Sequence, residues 1–255
     1  MNDALAILYQ DEHLVVIEKP SGILVHQSRL AEDRTTCVEI LSRQLNRKVF
    51  PVHRLDRGTS GVLVFALSSA ASRRAALEFE EGRVKKTYLT IVRGFTEKSG
   101  DIDYPIAEDR SKAKVDAKTA YQTISRSELN HPVGRYQTAR TSLVKVMPKT
   151  GRMHQIRKHF AHLRHPVIGD RTYGDRKYSD FFRDQFGLGR LALWARELEI
   201  LHPVDFRLVN FKSNLDADFD RLCRGLGLTF DEGDEPRIEP EGFEKSNSNQ
   251  LEEAH

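Results

Sequence analysis

The segment that most limits what this chain can become is Val62-Leu63-Val64-Phe65-Ala66-Leu67. An apolar run of that length, with β-branched and aromatic members, is short enough to be a buried strand. It follows directly on His53-Arg54-Leu55-Asp56-Arg57-Gly58-Thr59-Ser60-Gly61, where Gly58 and Gly61 punctuate a turn. A charged loop feeding a core strand holds a side chain rigidly over a pocket, and Asp56 is the carboxylate so placed. An Asp beside two Arg is, taken alone, an ordinary surface ion pair contributing ~0–1 kcal/mol. The rest of the chain has to show whether Asp56 is more than that.

Upstream, Ala6-Ile7-Leu8-Tyr9 and Leu14-Val15-Val16-Ile17 flank Gln10-Asp11-Glu12-His13, which predicts a strand–turn–strand hairpin. Pro20-Ser21-Gly22 turns the chain, and Thr35 to Leu45 reads as a helix with Val38, Leu41 and Leu45 on one side. Ser69 is placed to cap a helix running to about Glu81, with Gly82 as its left-handed stop. Val84 to Val92 is strand-like, and alternation puts Lys86 and Tyr88 on one face, Leu89 and Ile91 on the other. Residues 96–140 carry little periodic signal, and Ser111 to Lys118 reads as a charged loop. Arg140 to Val146 is a further strand. Leu191-Ala192-Leu193-Trp194-Ala195 and Leu198 to Pro203 give two late sheet segments, and Leu215 to Leu226 a closing helix, with Gly225 and Gly227 ending the ordered domain.

Pro148-Lys149-Thr150-Gly151 leads into a helix over Arg152 to Arg164. Met153, Ile156, Phe160 and Leu163 make its core stripe, and His154, Arg157, Ala161 and Arg164 the adjacent, largely cationic one. Arg157 stands at the border between them, where a guanidinium needs a carboxylate because an unpaired buried charge is strongly disfavoured. His154, His159, His162 and His165 invite a zinc reading. No Asp, Glu or Cys joins them, and their Lys and Arg neighbours oppose a dication, so the expectation is no metal.

Charge is distributed unevenly. Lys and Arg number 40 against 37 Asp and Glu, but residues 231–255 hold nine of the acids and two of the bases. Residues 1–230 therefore carry 38 bases and 28 acids, a formal +10, which suits a polyanionic partner held through counterion release. The acidic segment 231–255 reads as a disordered tail. Cys37 and Cys223 fit neither a disulfide framework nor a zinc set, the first residues lack a signal-peptide pattern, and no apolar run reaches ~18 residues. A cytoplasmic protein is expected. Walker A and zinc-deaminase patterns are missing from the sequence, and Gly187-x-Gly189 is too short for a dinucleotide site.

His53-Arg54-Leu55-Asp56 followed by Thr59-Ser60-Gly61 resembles the active-site motif of the pseudouridine synthases of the RluA type. Lys19-Pro20-Ser21-Gly22, Lys86-x-Tyr88, Thr150-Gly151-Arg152-x-His154-Gln155-x-Arg157, Gly169-Asp170 and Tyr173-Gly174-Asp175 continue the likeness in order, over about residues 5 to 226. The resemblance implies an α+β fold, a mixed and mainly antiparallel sheet in two halves with the active cleft crossing its middle. It implies Asp56 as the catalytic carboxylate, Arg157 as its partner, and Tyr88 as the ring that stacks on uracil and takes the proton from C5. Arg54 fills the gap left by the flipped base, and His53, Lys86, Arg152 and His154 join it in handling the RNA. Trp194 stands where such proteins usually carry His and is given no role.

Pseudouridine formation breaks the N1–C1′ bond, turns the base and rejoins it through C5. Being an isomerisation, it calls for no cofactor and no metal. Within the family, Pro148 to Gln155, Ala161-His162-Leu163-Arg164-His165-Pro166 and Gly134-Arg135-Tyr136-x-Thr138-x-Arg140 look most like members acting on uridine 65 of tRNA. Ribosomal RNA, or several RNAs, is the alternative with the same chemistry; a non-catalytic RNA-remodelling protein is the alternative from another class. RNA is the expected partner, with neither a membrane nor an obligatory protein partner.

Overall fold

The run Val62 to Leu67 does become a buried strand, and the sheet is built around it. A computed structural model describes residues 4–27, 35–107, 113–214 and 216–230. The chain forms β1 (Ala6–Gln10), β2 (Leu14–Lys19), α1 (Cys37–Gln44), β3 (Phe50–Pro51), β4 (Ser60–Ala66) and α2 (Ser69–Glu80). It continues with β5 (Lys85–Arg93), β6 (Ser99–Asp103), β7 (Ile106–Ala107), β8 (Lys114–Val115), β9 (Lys118–Leu129) and β10 (Ala139–Pro148). Last come α3 (Gln155–His162), α4 (Arg176–Phe186), β11 (Leu193–Leu201), β12 (Leu208–Lys212) and α5 (Ala217–Leu226).

The main sheet runs β1-β2-β4-β11-β5-β10-β9-β6, with β3 on β4 and β12 on β11. Every pairing is antiparallel except β4 with β11, where Ser60 faces Trp194 and Gly61 faces Ala195. The late strand β11 thus joins a half made of β1, β2 and β4 to a half made of β5, β10, β9 and β6. This is the mixed, mainly antiparallel, two-part sheet that was expected.

Alternation along the strands sorts the core by face. Leu63 and Phe65 of β4 pack with Val15, Ile17 and α1, and Val144 and Val146 of β10 pack with Ile156 and Phe160 of α3. Tyr88 touches both groups. The opposite face buries Val62, Val64 and Ala66 under α2, and Leu89, Ile91, Leu143 and Trp194 under α4 and α5. All seven residues of β4 are buried, which is why an unbroken apolar run suits it. Gly61 is required at the seam. It has φ +114°, and a Cβ there would lie 2.1 Å from the carbonyl oxygen of Ala195.

Several local expectations are corrected. Thr36 caps α1 in a capping box with Glu39, and Ser68 rather than Ser69 caps α2. The helix expected over Arg152 to Arg164 is shorter, because His154 and Arg164 take left-handed φ of 56° and 63° at its two ends. The two late sheet segments are one strand, β11, with a register shift between Ala195 and Glu197. Helix α4 has no counterpart in the sequence reading, and the described residues of the poorly legible stretch 96–140 hold β6, β7, β8, β9 and the start of β10. Gly225 lies inside α5, which Gly227 closes. Leu215, Ser111 and the acidic segment 231–255 lie outside the described residues.

Candidate active site

The loop before β4 is tied down from three sides. Thr59 N–H donates to the Asp56 carbonyl at 3.1 Å, closing the turn that presents Asp56. The Lys19 ammonium is fully buried behind it and donates to the carbonyls of Thr59 (2.8 Å), Pro20 (3.0 Å) and Arg57 (3.2 Å). Burial pushes its pKa down to about 8, against the pull of Cys37 and Asp56. On the third side Ser60 bonds to Asp216, the N-cap of α5, and Arg190 bonds to both. Lys19, Arg190 and Asp216 were not singled out from sequence. In the sequence Lys19 stands out only as part of the Lys19-Pro20-Ser21-Gly22 likeness.

The three principal residues expected at the site come together. The Nη1 of Arg157 donates to Asp56 Oδ2 at 3.1 Å, across a sequence separation of 101 residues. Tyr88 projects from β5 beside them, in a cleft of about 820 Å³ lined also by His53, Arg54, Lys86, Thr150, Arg152, Met153, His154 and Leu193. Burial first, and the Asp56 charge second, raise the Tyr88 phenol well above its ordinary value.

The expectation for Arg157 was incomplete. Its closest partner is Asp170, whose carboxylate receives Nε at 2.7 Å and Nη2 at 2.8 Å. Asp170 Oδ1 also accepts the backbone N–H of Thr172 (2.9 Å) and Tyr173 (3.1 Å). Despite burial, those bonds hold the Asp170 carboxyl below the usual range, and the pair of carboxylates holds the guanidinium protonated. The signal that could have found Asp170 is the requirement that drew attention to Arg157. A guanidinium with five donors inside a core wants more than one carboxylate.

The residues expected to handle RNA separate by environment. Arg54 and Arg152 are exposed at the rim, the latter bonding the Asp116 carbonyl at 3.2 Å. Lys86 reaches across the cleft to the Thr150 carbonyl at 3.4 Å. His53 stacks on Phe79 with ring centres 4.8 Å apart, and its Nε2 accepts the Val64 N–H at 3.1 Å. Burial and the nearby Lys86 bring its pKa down to about 3, so it is a neutral strut of the cleft wall. His154 holds a left-handed backbone that costs about 1–2 kcal/mol, and its Nε2 lies 3.8 Å from Asp56 Oδ1. Of the neighbouring histidines, His159 bonds Thr119 and the Tyr104 carbonyl, His162 stacks on Tyr104, and His165 bonds the Arg93 carbonyl. Trp194 donates its indole N–H to Ser213 Oγ at 2.6 Å.

An anchored carboxylate, a guanidinium and a half-buried phenol around a cleft of nucleotide size suit chemistry on an extruded base. The family model for RNA pseudouridylate synthase matches residues 13–162. A protein of Haemophilus ducreyi called tRNA pseudouridine synthase C is 43% identical over 236 residues, 89% of this chain and 97% of its own. One of the same name from Vibrio cholerae is 43% identical over 88% of this chain and 96% of its own. The solved structure of human RNA pseudouridylate synthase domain containing 4 superposes with a TM-score of 0.71 at 25% identity, covering 88% of this chain and 94% of that one. Among the described residues no helix is long and apolar enough to cross a membrane.

Proposed function

The chain belongs to the RNA pseudouridylate synthase family, and we propose that it converts uridine 65 of tRNA to pseudouridine with Asp56 as its catalytic carboxylate. The observation that carries the catalytic assignment is the 3.1 Å contact from Arg157 to Asp56 at the mouth of the cleft that Tyr88 lines. Relatives 43% identical and called tRNA pseudouridine synthase C support tRNA as the RNA. The segments Pro148 to Gln155 and Ala161 to Pro166 support the position.

The target uridine leaves its helix at a cost of a few kcal/mol. The Tyr88 ring returns ~1–3 kcal/mol by stacking on it. Arg54, exposed at the rim, takes the vacated place in the stack. Asp56 meets the nucleoside with the Arg157 guanidinium bonded to its Oδ2. The N1–C1′ bond breaks and a C5–C1′ bond forms; C5 then gives up a proton and N1 gains one, so the atoms balance without an external reagent. Tyr88 enters as a neutral phenol, so it takes the C5 proton only as its own hydroxyl proton is passed on to N1, and the relay balances.

Pseudouridine mapping in total RNA from cells lacking the gene tests the substrate: a loss confined to position 65 of tRNA is expected, and a loss elsewhere overturns it. Asp56→Asn tests the site. Folding and tRNA affinity are retained and product formation stops; continued turnover removes Asp56 from the mechanism.

A further inference from the structure

Arg190 and Leu191 lead into β11 and lie between the two turns that carry the carboxylates around Arg157. On one side is the turn of Asp56, where the Gly58 backbone comes so near that a Cβ added to it would lie 3.1 Å from Leu191 Cβ. On the other is the turn of Asp170. Gly169 there has φ +79°, and a Cβ on it would collide with the Arg190 carbonyl oxygen. Leu191 is buried in one group with Ile156 and Phe160, the residues on either side of Arg157 along α3. Ala192 is stitched to the sheet: its N–H donates to the Ile168 carbonyl at 2.9 Å, and its carbonyl accepts the Ile91 N–H at 3.1 Å and the Thr90 hydroxyl at 2.8 Å. The half-buried Arg190 side chain ties this segment to two further elements. Nη1 donates to Ser60 Oγ at 3.3 Å, Nη2 to Asp216 Oδ1, and Nε to Asp218 Oδ2 at 3.3 Å. Ser60 donates to the other oxygen of Asp216, whose Oδ1 also caps α5 through the N–H groups of Asp218 (3.2 Å) and Phe219 (3.1 Å).

We infer that Arg190 is a positioning residue for the reaction: by pinning the Arg190-Leu191 segment to Ser60 and to α5, it sets the spacing of Asp56 and Asp170 and with it the contact of Arg157 with Asp56. That 3.1 Å bond joins two separate pieces of chain. Asp56 stands on the loop before β4, whereas Arg157 is aimed by Asp170 on the turn after α3. Both turns rest on the same two residues, so a shift of that segment moves the carboxylate and the guanidinium relative to each other. A guanidinium suits the post because its planar fork carries donors to several partners at once. An ammonium on a flexible stem does not hold Ser60 and the Asp216 carboxylate in one plane. Arg190 does not line the cleft, so its work is done through the loop and leaves RNA binding alone. Misplacement by an ångström from a residue remote from the reacting atoms is enough to slow a reaction about 10²-fold.

The inference rests on Asp56 being the reacting carboxylate, and its test uses the full chain with tRNA. In Arg190→Ala, single-turnover conversion should be slowed by about 10–10²-fold with tRNA affinity unchanged. Leu226→Ala, which opens the core at the far end of α5, is the control for stability alone. Its thermal midpoint should fall, while its rate well below that midpoint stays at the parent's. Ser60→Ala in the Arg190→Ala background should cost nothing further, because the two groups act through one contact. Arg190→Lys, which keeps a cation beside Asp216, should unfold at the parent's midpoint and still be slowed severalfold; it carries the test if Arg190→Ala does not fold. A full rate in the folded Arg190 variants, a loss of affinity in place of rate, equal slowing in Leu226→Ala, or additive losses in the double variant would each overturn the inference. Failure of the Asp56 assignment shows separately, as turnover by Asp56→Asn.

Discussion

Arg157 is held by Asp170 more tightly than by any other residue, through two hydrogen bonds of 2.7 and 2.8 Å on a carboxylate with no side-chain exposure. The guanidinium that faces Asp56 is thus itself set by a second carboxylate. Removing one member of such a set leaves an uncompensated buried charge. Asp170→Asn should cost about 3–5 kcal/mol of stability and lower turnover together with it, because Arg157 loses its orientation. Urea unfolding of the variant checks this, and an unchanged midpoint would show that the ion pair is not structural.

Tyr88 offers a separation of binding from chemistry. In the proposed mechanism its ring stacks on the base, whereas its hydroxyl, kept protonated by burial and by Asp56, is the part that exchanges protons. Tyr88→Phe keeps the ring. tRNA affinity should stay within twofold or so, while the single-turnover rate falls by about 10²–10⁴. A parallel loss of affinity would mean the hydroxyl is holding RNA instead.

His53 makes stability depend on acidity. Its folded pKa lies near 3 against an ordinary 6.5, so below pH 6.5 the unfolded chain takes up a proton that the folded one refuses. Stability is therefore fully present above pH 6.5 and drains as the pH falls toward 3, by on the order of 1 kcal/mol per pH unit. In His53→Phe, which preserves the contact with Phe79, thermal unfolding followed between pH 6.5 and 4.5 should have a shallower slope. Equal slopes in the two proteins would assign the acid sensitivity to other groups.

The convergence of Asp56, Tyr88 and Arg157 on one cleft was legible because each sits in a short, ordered motif, and the run after Asp56 announced its strand. Asp170 was in view as part of Gly169-Asp170, but nothing local says that its carboxylate reaches back 13 residues to Arg157. Helix α4 went unread because its polar and charged residues mask the buried Tyr178 and Phe182; Asp175 before it and Gly187 after it are cap signals that could have revealed it. Strand β9 buries only Thr119 and Tyr121 among its twelve residues, too few to stand out in a polar segment. The start of α3 was misplaced because a left-handed His154 is imposed by its surroundings, and propensity carries no trace of it.

The anchoring of Ser60 by Arg190 and Asp216 sets an order on the making of this protein. β4 gains its parallel neighbour only from β11. A ribosome that has released the whole of the first motif has therefore still not produced a working loop. The last fifth of the described polypeptide must emerge and dock before the loop that carries Asp56 is steadied on this side.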